Sequence, residues 1–114
     1  MSRHDRIRLR HMIEAAREAV SFAHGRVRSD LETDRQLLLS LVKDIEIVGE
    51  AASQITDSTR KELAAIPWAS IVAMRNRLVH AYFSINLDIL WKTVQEDLPS
   101  LIDQLERVVP PESC

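Results

Sequence analysis

The residues best suited to chemistry in this 114-residue chain crowd into ten positions, "MRNRLVHAYF" at 74–83. Arg75, Asn76, Arg77, His80 and Tyr82 interrupt an otherwise apolar, helix-like run. A histidine that titrates near neutrality can take or give a proton, and an arginine offers a forked donor to phosphate. Cleavage of an RNA phosphodiester needs those functions: a proton removed from the 2′-OH, charge stabilised on the phosphorane, and a proton delivered to the leaving 5′ oxygen. No metal is required for that reaction. A quieter reading stands beside it, since a histidine near a helix end also serves as a cap, and Tyr82 and Phe83 also suit a core.

Spacing constrains how such a site would be assembled. Each residue of an ideal helix turns ~100°, so Arg75 and His80, five apart, sit about 140° from each other. Asn76 and His80, four apart, share a face. A site that uses Arg75 and His80 together therefore needs the helix to distort or a second copy to stand beside it. A two-fold axis along this helix would supply that copy.

The elements that must hold the motif read as helices. From about Asp5 to His24, Ile7, Met12, Ile13, Ala16, Val20 and Ala23 recur at helical spacing, with Gly25 as a stop. A second helix is expected from about Leu31 to Ile55, with Leu38, Leu41, Val42, Ile45, Val48, Ala52 and Ile55 as its apolar stripe. Gly49 inside it suggests the close approach of another helix. Thr56 to Arg60 break the pattern, and a short helical turn is expected at 61–65. Pro67 then opens the motif helix, expected over 67–82 and loosening near 81–85. Asn86 is a good N-cap for a last helix that buries Leu87, Leu90, Val94, Leu98, Leu101 and Leu105, with a kink or restart at Pro99. No segment alternates convincingly as a strand. The expected fold is all-α: an up-and-down bundle of four main helices plus a short one, a single domain over 1–109 and a tail over 110–114.

Composition agrees with a compact, globular chain. Hydrophobic residues make up 46% and charged residues 28%, which argues against disorder. Cys114 is the only cysteine, so neither an internal disulfide nor a cysteine metal site is expected. No paired-histidine or H-E-x-x-H spacing occurs, and two glycines cannot make a phosphate loop, so no metal or cofactor is expected. No apolar run reaches the ~18 residues of a membrane span, and a cytoplasmic location without membrane attachment is expected. Charge is uneven: residues 1–28 carry seven arginines against three carboxylates, whereas the rest carries eight basic and fourteen acidic residues. Arg3, Arg10 and Arg17, seven apart, lie on nearly one helical face, and with Arg6 they suit a phosphate track; the plainer alternative is a solvated helix surface.

"RNRLVHAYF" resembles the R-x4-H-x-Y signature of HepT-like proteins in the HEPN (higher eukaryotes and prokaryotes nucleotide-binding) superfamily. "IEIVGEAA" at 45–52, "IPWASIVAMRN" at 66–76 and "LDILWKTVQEDLPSL" at 87–101 extend the resemblance over nearly the whole chain. It implies a helical homodimer with facing signature helices and a composite ribonuclease cleft. It also implies a toxin whose partner, a minimal nucleotidyltransferase antitoxin, silences it by moving AMP onto a tyrosine. Carried over residue by residue, Arg75 and His80 become catalytic and Tyr82 the modified or substrate-positioning residue. Asn76, Arg77 and Glu50 become supporting residues, with Asn76 orienting the imidazole and Glu50 pairing with Arg75 or Arg77. A rival reading keeps the same residues for a non-catalytic module that holds nucleotide or substrate for the nucleotidyltransferase.

Overall fold

The structure is a computed structural model that describes residues 1–81 and 84–109, with backbone alone at 75, 79–81 and 84. Tyr82 and the expected tail at 110–114 lie outside the described residues.

Helix α1 spans Arg3–Ala23, opened by the Ser2 hydroxyl, which accepts the Asp5 N–H at 3.1 Å. It stops where Gly25 takes a φ of +73°, a left-handed conformation that glycine adopts without penalty. The expected 31–55 helix is two. A single turn, α2 (Asp30–Thr33), ends at Asp34, and α3 (Arg35–Ser53) begins there. Asp34 is the reason for the break. Its carboxylate accepts the Leu37 N–H at 3.0 Å, an N-cap geometry incompatible with a continuous helix.

The short helix α4 (Asp57–Glu62) starts earlier than expected, because Thr56 caps it. Helix α5 (Trp68–Leu78) follows Pro67 and carries the start of the motif. It ends at Leu78, not near 82, and the chain becomes extended. Strand β1 (Val79–Ala81) pairs antiparallel with β2 (Ser84–Ile85), Val79 opposite Ile85 and Ala81 opposite Ser84, with an irregularity between. Two such short strands give no alternating pattern to read. The Asn86 N–H then donates to the Leu78 carbonyl at 2.7 Å, satisfying an orphan acceptor at the helix end.

Asn86 also caps α6 (Leu87–Lys92) by accepting the Ile89 N–H at 3.0 Å. The helix widens into a π-helical turn at Thr93–Asp97, where the Leu98 N–H reaches back to the Thr93 carbonyl, and resumes as α7 (Leu98–Val108). Pro99 explains this restart: it lacks an N–H, and its ring would collide with a carbonyl of a regular preceding turn.

The fold is all-α. Four long helical segments (α1, α3, α5 and the α6–α7 run) form the bundle, α1 packing between α3 and α7, and α3 between α1 and α5. Leu9, Met12, Leu41, Ile45, Ile71, Leu78, Leu90, Leu98 and Leu105 are fully buried between them. Fully burying a leucine or isoleucine contributes about 1.5–3 kcal/mol, so these positions dominate stability. Ile7 departs from its expected place in the core: it is 37% exposed, and Leu9 occupies the buried position instead. Gly49 fulfils the expectation of close helix approach. A Cβ there would lie 3.6 Å from the Ile71 carbonyl oxygen and 3.8 Å from that of Val72.

Candidate functional site

Arg75 and Arg77 fall in the last turn of α5, whose carbonyl end favours positive charge. His80 lies two residues past the helix, on β1. The 140° separation and the shared face of Asn76 and His80 both assumed an unbroken helix, so neither applies. Val79 and Ile85 are β-branched and favour extended chain. The break is closed on itself by the β1–β2 ladder and the Asn86–Leu78 hydrogen bond. Arg75 and His80 thus sit at the same end of α5, one in its last turn and the other on the strand that follows it.

The start of α5 is held firmly. Trp68 Nε1 donates to the Leu63 carbonyl at 3.1 Å, and the Arg60 guanidinium lies 5.9 Å from the Trp68 ring centroid while donating to the Ala52 carbonyl at 2.8 Å. On the other side, the backbone of α3 at Gly49 touches α5 at Ile71 and Val72. Glu50 therefore begins beside α5, one turn before Arg75. Glu50 is exposed and borders a groove of about 380 Å³ between α1 and α3, along with Arg8, Lys43 and Gln54.

Asn76 and Arg77 are both exposed. Arg77 lies back along its own helix, its Nη2 donating to the Ser70 carbonyl at 2.9 Å. It borders a second cavity of about 270 Å³, where Lys92, Asp97, Ser100 and Gln104 come in from the α6–α7 run. Lys92 and Asp97 went unread in the sequence because only the packing of α5 on that run brings them to Arg77.

The arginines of α1 divide. Arg3 and Arg6 are exposed, Arg17 is bonded to Glu106 of α7 at 2.8 Å, and Arg10 is half-buried with its Nε enclosed and without an acceptor among the described residues. A phosphate track of four equivalent arginines is not what the surface offers. Arg3 and Arg6 remain as its candidates. Among the described residues no three His, Cys, Asp or Glu side chains gather to hold a metal ion, and no helix is long and apolar enough to cross a membrane.

Comparison with known proteins matches a family model described as "Ribonuclease HepT-like" to residues 12–108. The chain is 37% identical over 79 residues to "Probable ribonuclease HepT" of Thermococcus cleftensis, covering 69% of this chain and 72% of that protein. It is 30% identical over 97 residues to a candidate RNase of Methanocaldococcus jannaschii, covering 85% of this chain and 89% of the relative. A candidate RNase of Caldanaerobacter subterraneus is 29% identical over 104 residues, covering 91% and 93%. No solved structure matches.

Proposed function

The chain belongs to the HepT-like ribonuclease family, and from that premise we propose that it is a metal-independent endoribonuclease toxin acting as a homodimer. The observation that carries the reading is the placement of Arg75 in the last turn of α5 and His80 just beyond it on β1. His80 takes the proton of the 2′-OH as its oxygen attacks phosphorus. Arg75 neutralises the phosphorane, and the second protomer's histidine protonates the departing 5′ oxygen. The products are a 2′,3′-cyclic phosphate and a free 5′-OH. Asn76, Arg77 and Glu50 support this centre at the α5 end. A minimal nucleotidyltransferase is the partner, and AMP placed on Tyr82, two residues from His80, blocks the RNA path with bulk and negative charge.

Purified protein incubated with RNA in EDTA tests the chemistry. Cleavage is expected to fall by at least 10²-fold in His80→Ala and in Arg75→Ala, with helical content retained. Undiminished cleavage by His80→Ala would remove it from the mechanism. Coexpression with the nucleotidyltransferase is expected to add the mass of one or more AMP units to the Tyr82 peptide, and a Tyr82→Phe protein is expected to escape silencing.

A further inference from the structure

A second collection of ionisable groups lies between α1 and α3, outside the Arg75–His80 centre. Asp44 projects from α3 into the core side of the bundle and is only 2% exposed. Its Oδ2 is enclosed and has no hydrogen-bond donor among the described residues. The group within reach is the Glu18 carboxylate of α1, itself an acceptor. Burial, reinforced by Glu18, pushes Asp44 up to about 7. Near neutral pH Asp44 is therefore divided between its protonated and ionised forms.

Asp44 and Glu18 line a cavity of about 190 Å³ with His11, Glu14, Ala15 and Ile47. The cavity shares His11 and Ile47 with the larger groove that continues along α1 and α3 past Lys43, Arg8 and Glu46. The surroundings are apolar as well as acidic. Along α1, Ile7, His11, Glu14, Glu18 and Phe22 follow one another at steps of three and four, with Ile7 37% and Phe22 41% exposed. Along α3, Leu39 and Ile47 stand out at 47% and 36%. Isolated exposed apolar side chains are ordinary on a protein surface. Here Ile47 lines the acidic cavity itself, and Ile7, Phe22 and Leu39 stand exposed on the same two adjacent helices, a composition that suits a protein interface centred on a cation.

We propose that the Asp44–Glu18 cavity receives one arginine side chain from a partner protein that packs its apolar residues across α1 and α3. A guanidinium suits the pair because its planar fork donates to two carboxyls at once; with the Glu18 side chain swung aside it reaches the enclosed Asp44 Oδ2 and gives it the donor it lacks. The partner seats apolar anchors on Ile7, Phe22, Leu39 and Ile47. Nothing in this proposal depends on RNA cleavage.

The test is an affinity titration of the full chain with two probes, Nα-acetyl-arginine amide and its citrulline counterpart, at pH 6 and pH 8. Asp44 must ionise to bind, so arginine-probe affinity is expected to rise about tenfold between these values, given a midpoint near 7. His11, Glu14, Glu18 and Lys43 also face this region, so Asp44→Asn serves as the control. Its amide supplies its own donor to Glu18, and the variant is expected to fold and lose both the binding and its pH dependence. Glu18→Gln is expected to weaken binding as well. A helical peptide with one arginine flanked by leucines four residues away on each side is expected to bind at least tenfold tighter than the amino-acid probe, a gain removed by Leu39→Ala with Ile47→Ala. Equal affinity for arginine and citrulline, a flat pH response, no binding, or a peptide no tighter than the amino-acid probe would overturn the proposal. So would a dimer that Ile47→Glu converts to monomer, because a second copy would then own this face.

Discussion

Two aspartates buried in one small bundle have opposite surroundings. Asp5, fully buried near the start of α1, accepts the Thr56 hydroxyl and the Thr59 hydroxyl, both at 2.6 Å, and the Thr56 N–H at 3.2 Å. Asp44, buried to nearly the same degree, has an oxygen with no donor among the described residues. Burial works against the charge of both. At Asp5 the hydrogen bonds from Thr56 and Thr59 outweigh burial and hold the carboxyl below its ordinary range. At Asp44 nothing opposes burial, and Glu18 adds to it. The first is a finished structural joint, tying the opening of α1 to the cap of α4. The second is a carboxyl with one enclosed oxygen that finds no donor among the described residues. Depth alone does not separate structure from function; the count of donors does.

The largest effect is expected at the finished joint. Asp5→Ala removes the acceptor shared by two hydroxyls and an amide, and is expected to cost about 3 kcal/mol in urea denaturation at pH 7. A cost below about 1 kcal/mol would mean the joint is dispensable and the contrast with Asp44 is empty.

The pH dependence of stability sharpens the same contrast, because the two groups act with opposite sign. Asp5 has a lowered pKa when folded, so its contribution is present above the ordinary carboxylate range and is lost as pH falls through the folded value. Asp44 has a raised one, so the folded state binds its proton more tightly than the unfolded chain does. Stability then declines as pH rises from about 4 to about 7 and levels off above. Asp44→Asn is expected to remove the decline and to raise the urea midpoint at pH 8 above that of the wild type. An unchanged slope between pH 5 and pH 8 would show that Asp44 does not hold a raised pKa.

The smallest effect is expected one turn further along α3. An alanine at Gly49 would place its Cβ at ordinary contact distance from the α5 backbone, so the gain in helix propensity is expected to outweigh crowding. Gly49→Ala should stabilise by up to about 1 kcal/mol, measured by thermal unfolding. A destabilised variant would mean that α3 and α5 are pressed together more tightly than those distances imply.

How far the chain could be read in advance differs from element to element. The stripe Leu41, Ile45, Val48 and Ala52 announced a buried helix, because burial of one helical face imposes a period that local sequence carries. Gly25, Asn86 and Pro99 announced a stop, a cap and a restart, because each acts through its own backbone geometry or its own side chain. Asp34 was just as local, yet it was missed: a capping aspartate inside an apolar pattern reads as a polar face. Asp44 carried a faint signal too, an acid beside Leu41, Ile45 and Val48 where spacing favours apolar residues.

Local pattern and the family motif thus sufficed for the helical class, most of the apolar faces and the identity of Arg75, His80 and Tyr82 as candidates. Local propensity at Val79 and Ile85 permits extended chain, but only the tertiary return of the chain fixed the end of α5 at Leu78. What stops it is the return of the chain from β2 to Asn86, whose N–H takes up the free Leu78 carbonyl. Packing alone likewise separated Asp5 from Asp44. A carboxylate's donors come from whichever element lies against it, and Thr56 stands 51 residues from Asp5. No window of local sequence contains both.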